Sequence, residues 1–219
     1  TLTALPLFVW MGEILFRTKL SENLFKGLSP WMEKLPGGLI HVNVVGCALF
    51  AAISGSSAAT VATVGKMSIP ELRKRKYPEK ILLGSLAGSG TLGLLIPPSI
   101  ILIIYGVTVQ ESIAKLFIAG IIPGIMIALI FMSYVIIWSL INKRSMPKAQ
   151  ETYSFFEKIK RSKQLLPVIL LILGVIGSIY SGVATATEAA SLGVVGALIL
   201  SYFQKSLNVK TFKNSLLGA

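Results

Sequence analysis

Four hydroxyl side chains lie within one short stretch of the chain, "SGSSAAT" at residues 54–60. Ser54, Ser56, Ser57 and Thr60 are separated only by glycine and alanine, and Gly55 permits a tight backbone approach. Hydroxyl and carbonyl oxygens are hard ligands, which suit a hard cation better than a transition metal. This stretch is therefore a candidate ion-binding turn.

A second stretch, "TLGLLIPPSIILIIYG" at residues 91–106, is apolar but carries Pro97 and Pro98 in its middle, shortly after Gly93. Proline removes an amide donor and costs a helix about 3 kcal/mol. The pair predicts a discontinuous helix with unpaired carbonyls at the end of its first half and free amides at the start of its second. In secondary transporters such ends hold Na⁺ or face anionic substrates. A proline pair alone often only kinks a helix, but its combination with the serine-rich turn favours a binding site.

Other residues give little support to catalysis. The chain has one histidine, His41, one cysteine, Cys47, and no aspartate. A Ser56–His41 pair would lack the acidic partner of a catalytic triad. The glycine-rich "GSLAGSGT" at residues 84–91 lacks the Gly-Lys-Ser/Thr ending of a phosphate-binding loop. We therefore predict that the chain is not an enzyme and holds no organic cofactor.

Two glutamates lie within apolar segments. Glu188 opens a helix in "TATEAAS", where it could relay charge or complete the helix N-terminus with Thr185 or Thr187 as the cap. The capping role is favoured. Glu13 precedes Arg17 by four residues, which is the spacing of a helical ion pair.

The composition indicates an integral membrane protein. Of 219 residues, 53% are hydrophobic and only 14% are charged, whereas a soluble domain carries about a quarter charged residues. The net charge of +12 does not indicate nucleic-acid binding, because 19 of the 21 Lys and Arg residues lie in four segments between apolar stretches: 17–34, 73–80, 142–163 and 204–213. Basic loops of this kind mark the cytoplasmic side of a membrane protein.

With these basic segments on one side, the crossings can be followed along the chain. Residues 39–72 adjoin basic segments at both ends, and each arm is too short to span, so we predict a re-entrant helical hairpin that turns at residues 54–60. The fold class is therefore an all-α membrane bundle with a re-entrant hairpin and a discontinuous transmembrane helix. The other predicted elements are a first helix at 2–16, an interfacial segment with Trp31 at 20–36, the interrupted crossing at 81–109, and crossings at 113–141, 165–180 and 189–203.

Four motifs in this order resemble the large membrane subunit of tripartite ATP-independent periplasmic (TRAP) transporters. They are "HVNVVGCALFAAISGSSAAT" at 41–60, "LGLLIPPSIILIIYG" at 92–106, "LFIAGIIPGI" at 116–125 and "SGVATATEAAS" at 181–191. The resemblance implies a permease of the bacterial inner membrane that imports small organic acids, such as C4-dicarboxylates or sialic acid, with Na⁺ as the coupling ion. It also implies two protein partners, a small membrane subunit and a periplasmic substrate-binding protein. A channel, or another ion-coupled anion transporter of similar architecture, is the alternative.

The resemblance further implies an elevator mechanism, in which a mobile domain slides against a scaffold. Residues 1–38 would then form a truncated first helix and a scaffold connection, 39–109 part of the mobile domain, 110–203 further membrane helices, and 204–219 a cytoplasmic connector. The implied Na⁺ site comprises Ser54, Ser57, Gly93, Ile96 and Pro98. The substrate would lie near Gly55, Ser56, Thr60 and Pro97. The family continues with a second hairpin and a second broken helix, so we expect this chain to be an internal portion of the subunit.

Overall fold

A computed structural model describes residues 3–18, 20–147, 153–163 and 165–218, and the described residues form helices and turns with no strand. The helices are α1 (Ala4–Phe16), α2 (Leu20–Met32), α3 (Ile40–Ser54), α4 (Ser57–Lys74), α5 (Glu79–Gly90), α6 (Ile100–Thr108), α7 (Ile113–Ile141), α8 (Phe155–Ser162), α9 (Leu166–Tyr180), α10 (Ala186–Phe203) and α11 (Val209–Gly218). Short 3₁₀ turns at Thr91–Leu94 and Lys143–Ser145 follow α5 and α7. The predicted all-α fold class is confirmed.

Two of the described helices, α7 and α10, are long and apolar enough to cross a membrane, and a third span results if α8 and α9 count as one bent unit. The apolar face of α7 is largely exposed, with Ile122 at 77%. An exposed apolar helix face of this extent is typical of contact with lipid. The predicted crossing at 113–141 matches α7, whereas α10 begins at Ala186, three residues before its predicted start.

The predicted hairpin is present, because α3 and α4 reverse direction at Gly55 and Ser56 and pack against each other. The second arm of the hairpin, α4, extends to Lys74, within the basic segment at residues 73–80. Helix α5 packs against both arms. Asn43 of α3 links to α5 by donating from Nδ2 to the Leu82 carbonyl at 3.2 Å and to Ser85 Oγ at 3.0 Å.

Helix α1 connects this group of helices to the C-terminal ones. On one side it packs along α10, where Met11 Sδ would lie 2.5 Å from a methyl group added at Gly193. On the other side Gly12 meets the end of α3, since an added methyl group would lie 2.8 Å from Ser54 Cα. The predicted C-terminal connector contains α11, which lies against α1 through a hydrogen bond from Trp10 Nε1 to Ser215 Oγ of 3.1 Å. The predicted division into scaffold and mobile segments stays a prediction.

Candidate ion and substrate site

The hairpin turns at Gly55, which has a left-handed backbone with φ of +59°. Glycine adopts this conformation at little cost, and it is the common residue directly after a helix C-terminus. Ser56 then caps α4, because its side chain accepts a hydrogen bond from the Ala59 amide. A methyl group added at Gly55 would lie 2.7 Å from the Pro98 carbonyl oxygen. Gly55 therefore allows both the reversal and the close approach of the proline pair.

Two of the four hydroxyl groups at the turn hydrogen-bond to each other. Ser54 Oγ and Thr60 Oγ1 are 2.9 Å apart, and Ser54 Oγ also lies 3.3 Å from both the carbonyl oxygen and the amide nitrogen of Ser56. Both side chains are almost fully buried. Their hydrogen bonds hold the turn closed, so Ser54 and Thr60 stabilise the shape of the tip whether or not they also bind an ion.

The helix break is confirmed and is longer than the sequence indicated. Helix α5 ends at Gly90, a 3₁₀ turn spans Thr91–Leu94, and α6 begins only at Ile100. Ser99 stabilises the break by donating from Oγ to the Leu94 carbonyl at 2.8 Å. Among the described residues, none donates a hydrogen bond to the carbonyl oxygens of Ile96, Pro97 or Pro98. The break therefore leaves backbone oxygens available as ligands.

The hairpin turn and the break are in direct contact. The Ile100 amide donates to the Gly55 carbonyl at 3.2 Å, which joins the C-terminus of α3 to the N-terminus of α6. A methyl group added at Gly93 would lie 2.9 Å from the Ser57 nitrogen, so the N-terminus of α4 meets the end of the α5 segment. Two negative helix ends and two positive helix ends thus meet at one place. This arrangement offers carbonyl oxygens to a cation and amides to an anion.

The hydroxyl of Ser57 is the candidate side-chain ligand that the turn leaves without a partner in the described part of the chain. Its oxygen is buried and has no hydrogen-bond partner among the described residues, whereas the hydroxyls of Ser54 and Thr60 bond to each other. A buried hydroxyl without a partner costs about 1–3 kcal/mol, which a bound cation would recover. Among the described residues, the oxygens without a partner at this junction are thus neutral ones, the ligand type that Na⁺ takes in secondary transporters.

The remaining residues of the predicted site differ in what they can contribute. The Ile96 side chain points to α7, since its Cγ1 would lie 2.9 Å from a methyl group added at Gly124. Only the backbone of Ile96 is therefore a candidate ligand. Pro97 and Pro98 are buried at the junction, and Gly93 and Gly55 provide the close contacts between turn and break.

Two residues that the sequence did not single out complete the junction. Ser99 holds the break through the Leu94 carbonyl, and its position directly after two prolines is a signal that could have identified it. Gly120 of α7 lets the Leu95 carbonyl approach closely, with an added methyl group only 2.6 Å from that oxygen. Gly120 and Gly124, one helical turn apart, form the small-residue surface that α7 presents to the break.

The other candidate residues have structural roles. Glu188 and Thr185 form a capping box at the start of α10, with Thr185 as the cap. Glu13 and Arg17 form the predicted ion pair at 2.9 Å.

His41 Nε2 contacts the Pro36 carbonyl at the opposite end of α3 from Ser56, about 20 Å away along the helix axis. Within the described residues, no cluster of histidine, cysteine or acidic side chains could hold a metal ion.

A model of one protein family matches the chain over its whole length. This family is the DctM component of the tripartite ATP-independent periplasmic transporter, and the match covers residues 1–219. The chain belongs to this family. The family consists of transporter permeases rather than enzymes, and together with the apolar helices this places the chain in the inner membrane.

Individual relatives are identical to this chain at about a third of the aligned positions. The C4-dicarboxylate TRAP transporter large permease protein DctM of Pseudomonas aeruginosa is 36% identical over 203 residues, which are 93% of this chain and 47% of the relative. The sialic acid TRAP transporter permease protein SiaT of Haemophilus influenzae is 36% identical over 220 residues, covering 100% of this chain and 35% of the relative. The isethionate TRAP transporter permease protein DctMQ of Oleidesulfovibrio alaskensis is 34% identical over 220 residues, covering 99% and 34%. The chain spans about half the length, or less, of these relatives.

Proposed function

We propose that this chain is part of the large permease subunit of a Na⁺-coupled transporter that imports a small organic acid across the inner membrane. The family and the relatives support this, because the relatives are named for C4-dicarboxylate, sialic acid and isethionate, all small organic acids. A small membrane subunit and a periplasmic substrate-binding protein would be its partners. The observation that carries the proposal is the contact between the hairpin turn and the helix break through Gly55, Ile100, Gly93 and Ser57.

In this proposal the Na⁺ ligands are the Ser57 hydroxyl and the backbone carbonyls of Gly93, Ile96 and Pro98. All are neutral oxygens, which suits a monovalent cation better than a divalent one that needs carboxylates. Ser54 would lie near the ion, as the sequence predicted. Its hydrogen bond to Thr60 would hold the turn in shape next to the ion.

The substrate anion would lie on the side of the two helix N-termini. The start of α4 at Ser56 and Ser57 and the start of α6 after Pro98 both present amides, and such positive ends attract carboxylates. Gly55, Thr60 and Pro97 would border this side. Because ion and anion would share one junction, each would favour the binding of the other, which is the basis of coupling.

The mobile unit of the proposed elevator mechanism would include α3, α4, α5 and α6. Three connections support their moving together: the bonds of Asn43 to α5, the Gly55–Ile100 hydrogen bond, and the contact of Gly93 with Ser57. A unit joined in this way can carry its site as a rigid body.

The test uses the complete subunit with its partners in liposomes. We expect Ser57→Ala to raise the Na⁺ concentration for half-maximal uptake about tenfold or more, because a contact to a charged group contributes roughly 1.5–3 kcal/mol. Ser68→Ala is the matched control: its hydroxyl is also buried without a partner on α4, but lies about 16 Å from Ser57 along the helix.

Two results would contradict the proposal. Equal Na⁺ activation of the Ser57→Ala and Ser68→Ala proteins would remove Ser57 from the ion site. Conductance that rises linearly with voltage and needs neither Na⁺ nor the binding protein would identify a channel instead of a carrier.

A further inference from the structure

Helix α8, Phe155–Ser162, has an apolar side that the other described residues cover only in part. Phe155, Phe156 and Ile159 are 68%, 82% and 41% exposed, and their spacing places them on one face of the helix. The remaining positions are polar and include Lys158, Lys160 and Arg161. The one acidic side chain of α8, Glu157, is engaged in a capping box with Ser154. The helix is therefore strongly amphipathic and basic.

Trp31 attaches α8 to α2. Its Nε1 donates to Ser162 Oγ at 2.7 Å, its ring meets Phe155 edge to face at 6.4 Å, and Lys158 Nζ lies 5.3 Å from its ring centre. The sequence predicted that Trp31 would anchor α2 at the membrane interface. The structure joins Trp31 to a second helix, α8, and its interfacial role stays a prediction; Phe156 is the most exposed aromatic side chain of these two helices.

Helix α8 comes directly before the apolar helix α9 in the chain, which is the position expected of a helix at the membrane surface. Helix α9 begins four residues after the last residue of α8 and is almost entirely apolar, and the two axes differ by 56°. If α9 runs along the membrane normal, α8 is inclined by 56° to that normal and lies closer to the membrane plane. Lys143 and Arg144, both exposed at the end of α7, add positive charge at the boundary of the same basic segment.

We propose that α8, held by Trp31, is a membrane-surface anchor that binds the anionic phospholipid headgroups of the cytoplasmic leaflet. Phe155, Phe156 and Ile159 insert among the acyl chains near the headgroups, and Lys158, Lys160 and Arg161 contact the phosphates. Interfacial helices bind in this way, by apolar insertion combined with attraction between basic side chains and anionic lipids. The opposite charge of the lipid favours this occupant over a second protein surface. The anchor would fix α2, which leads into the hairpin, at a constant depth while the hairpin moves.

The experiment places a fluorophore on the apolar face of α8 in the complete subunit. Phe156→Cys, in a protein in which Cys47 and any further cysteine of the complete subunit are replaced by alanine, supplies the only thiol for the label. The labelled protein is reconstituted in vesicles that contain either brominated phosphatidylglycerol or brominated phosphatidylcholine at equal mole fraction. We expect both lipids to quench the label, and the anionic lipid to quench more at low salt. The difference should shrink at high salt because the attraction is screened.

Charge variants separate a specific anchor from general lipid contact. In K158Q/K160Q/R161Q the preference for the anionic lipid should disappear, because each basic residue at the surface strengthens binding about fivefold. The variant K205Q/K210Q/K213Q removes the same charge from the C-terminal basic segment and should keep the preference. Absence of quenching by either lipid would show that protein covers the face. Equal quenching by the two lipids in the labelled Phe156→Cys protein with all basic residues of α8 in place, a result that does not depend on the folding of a charge variant, would also overturn the proposal.

Discussion

Replacement of Gly93 by alanine tests the contact on which the proposed site depends. The added methyl carbon would lie 2.9 Å from the Ser57 nitrogen, 3.0 Å from the Ser56 carbonyl carbon and 3.1 Å from Ser57 Cα. Non-bonded carbon atoms prefer about 3.5–4.0 Å, and backbone atoms cannot rotate aside as a side chain can. The hairpin turn must therefore move away from the break.

The size of the effect follows from this geometry. Gly93 is not among the residues with positive φ, so alanine is sterically allowed by its own backbone and the cost is the contact alone. Overpacking of a tight site costs about 1–3 kcal/mol. This corresponds to roughly a fivefold to 150-fold shift toward states in which turn and break are separated.

Gly84→Ala provides the matched control. Gly84 lies in α5, the helix that leads to Gly93, and an added methyl group would meet nothing within 4 Å. Alanine in an open helix interior is favoured over glycine by about 0.5–1 kcal/mol, so this variant should be neutral or slightly more stable. The two variants make the same chemical change with opposite expected signs.

The measurement is thermal unfolding of the complete subunit in detergent, with and without Na⁺. A ligand that binds only the folded protein raises the unfolding midpoint, and at a given concentration a tighter ligand raises it more. We expect Gly93→Ala to lower the midpoint and to lose most of the Na⁺-dependent rise, while Gly84→Ala keeps both. If Gly93→Ala unfolds at the same temperature and responds to Na⁺ like Gly84→Ala, the hairpin turn and the helix break are not in contact at Gly93.

Two further predictions concern residues outside this contact. Asn43→Ala should lower the free energy of unfolding of the complete subunit by about 1–3 kcal/mol, because it removes the buried amide that donates hydrogen bonds to Ser85 Oγ and the Leu82 carbonyl of α5. Unchanged thermal unfolding would contradict this. Glu188→Gln should keep Na⁺-driven uptake in liposomes near the level of the unaltered protein, because glutamine can also complete a capping box; a loss of uptake without a loss of stability would show that the charge of Glu188 takes part in transport.

Much of the fold was predictable because local features of the sequence decide it. Pro97 and Pro98 cannot continue a helix, and Gly55 allows the reversal after Ser54, so both interruptions follow from the properties of single residues. The apolar run at 113–141 gave α7 with its observed bounds. The i,i+4 pair of Glu13 and Arg17 was likewise predictable from helical geometry. Each of these features depends on residues a few positions apart.

Contacts between distant segments were less predictable. The sequence did not indicate that Trp31, the predicted interfacial anchor, packs on α8, nor that the predicted connector at 204–219 contains a helix that contacts Trp10 of α1. Residues far apart in the chain come into contact only when several helices pack together. An amphipathic pattern shows which face of a helix is apolar, but not which helix packs against that face.

The sequence by itself determined that this is a membrane protein of the TRAP permease type, with a serine-rich hairpin and a helix broken by two prolines. Charge distribution, apolar segment length and the restricted backbone of proline were sufficient for the membrane class, the hairpin and the break, whereas the TRAP permease type came from the resemblance of four motifs. Only the tertiary structure decided which helix ends meet, and which hydroxyl is left without a partner. Ser54 and Ser57 are equivalent in the sequence, but packing brings Ser54 to Thr60 and Ser57 to the break at Gly93. That difference arises from the long-range approach of α6 and the α5 segment to the hairpin, which no local pattern encodes.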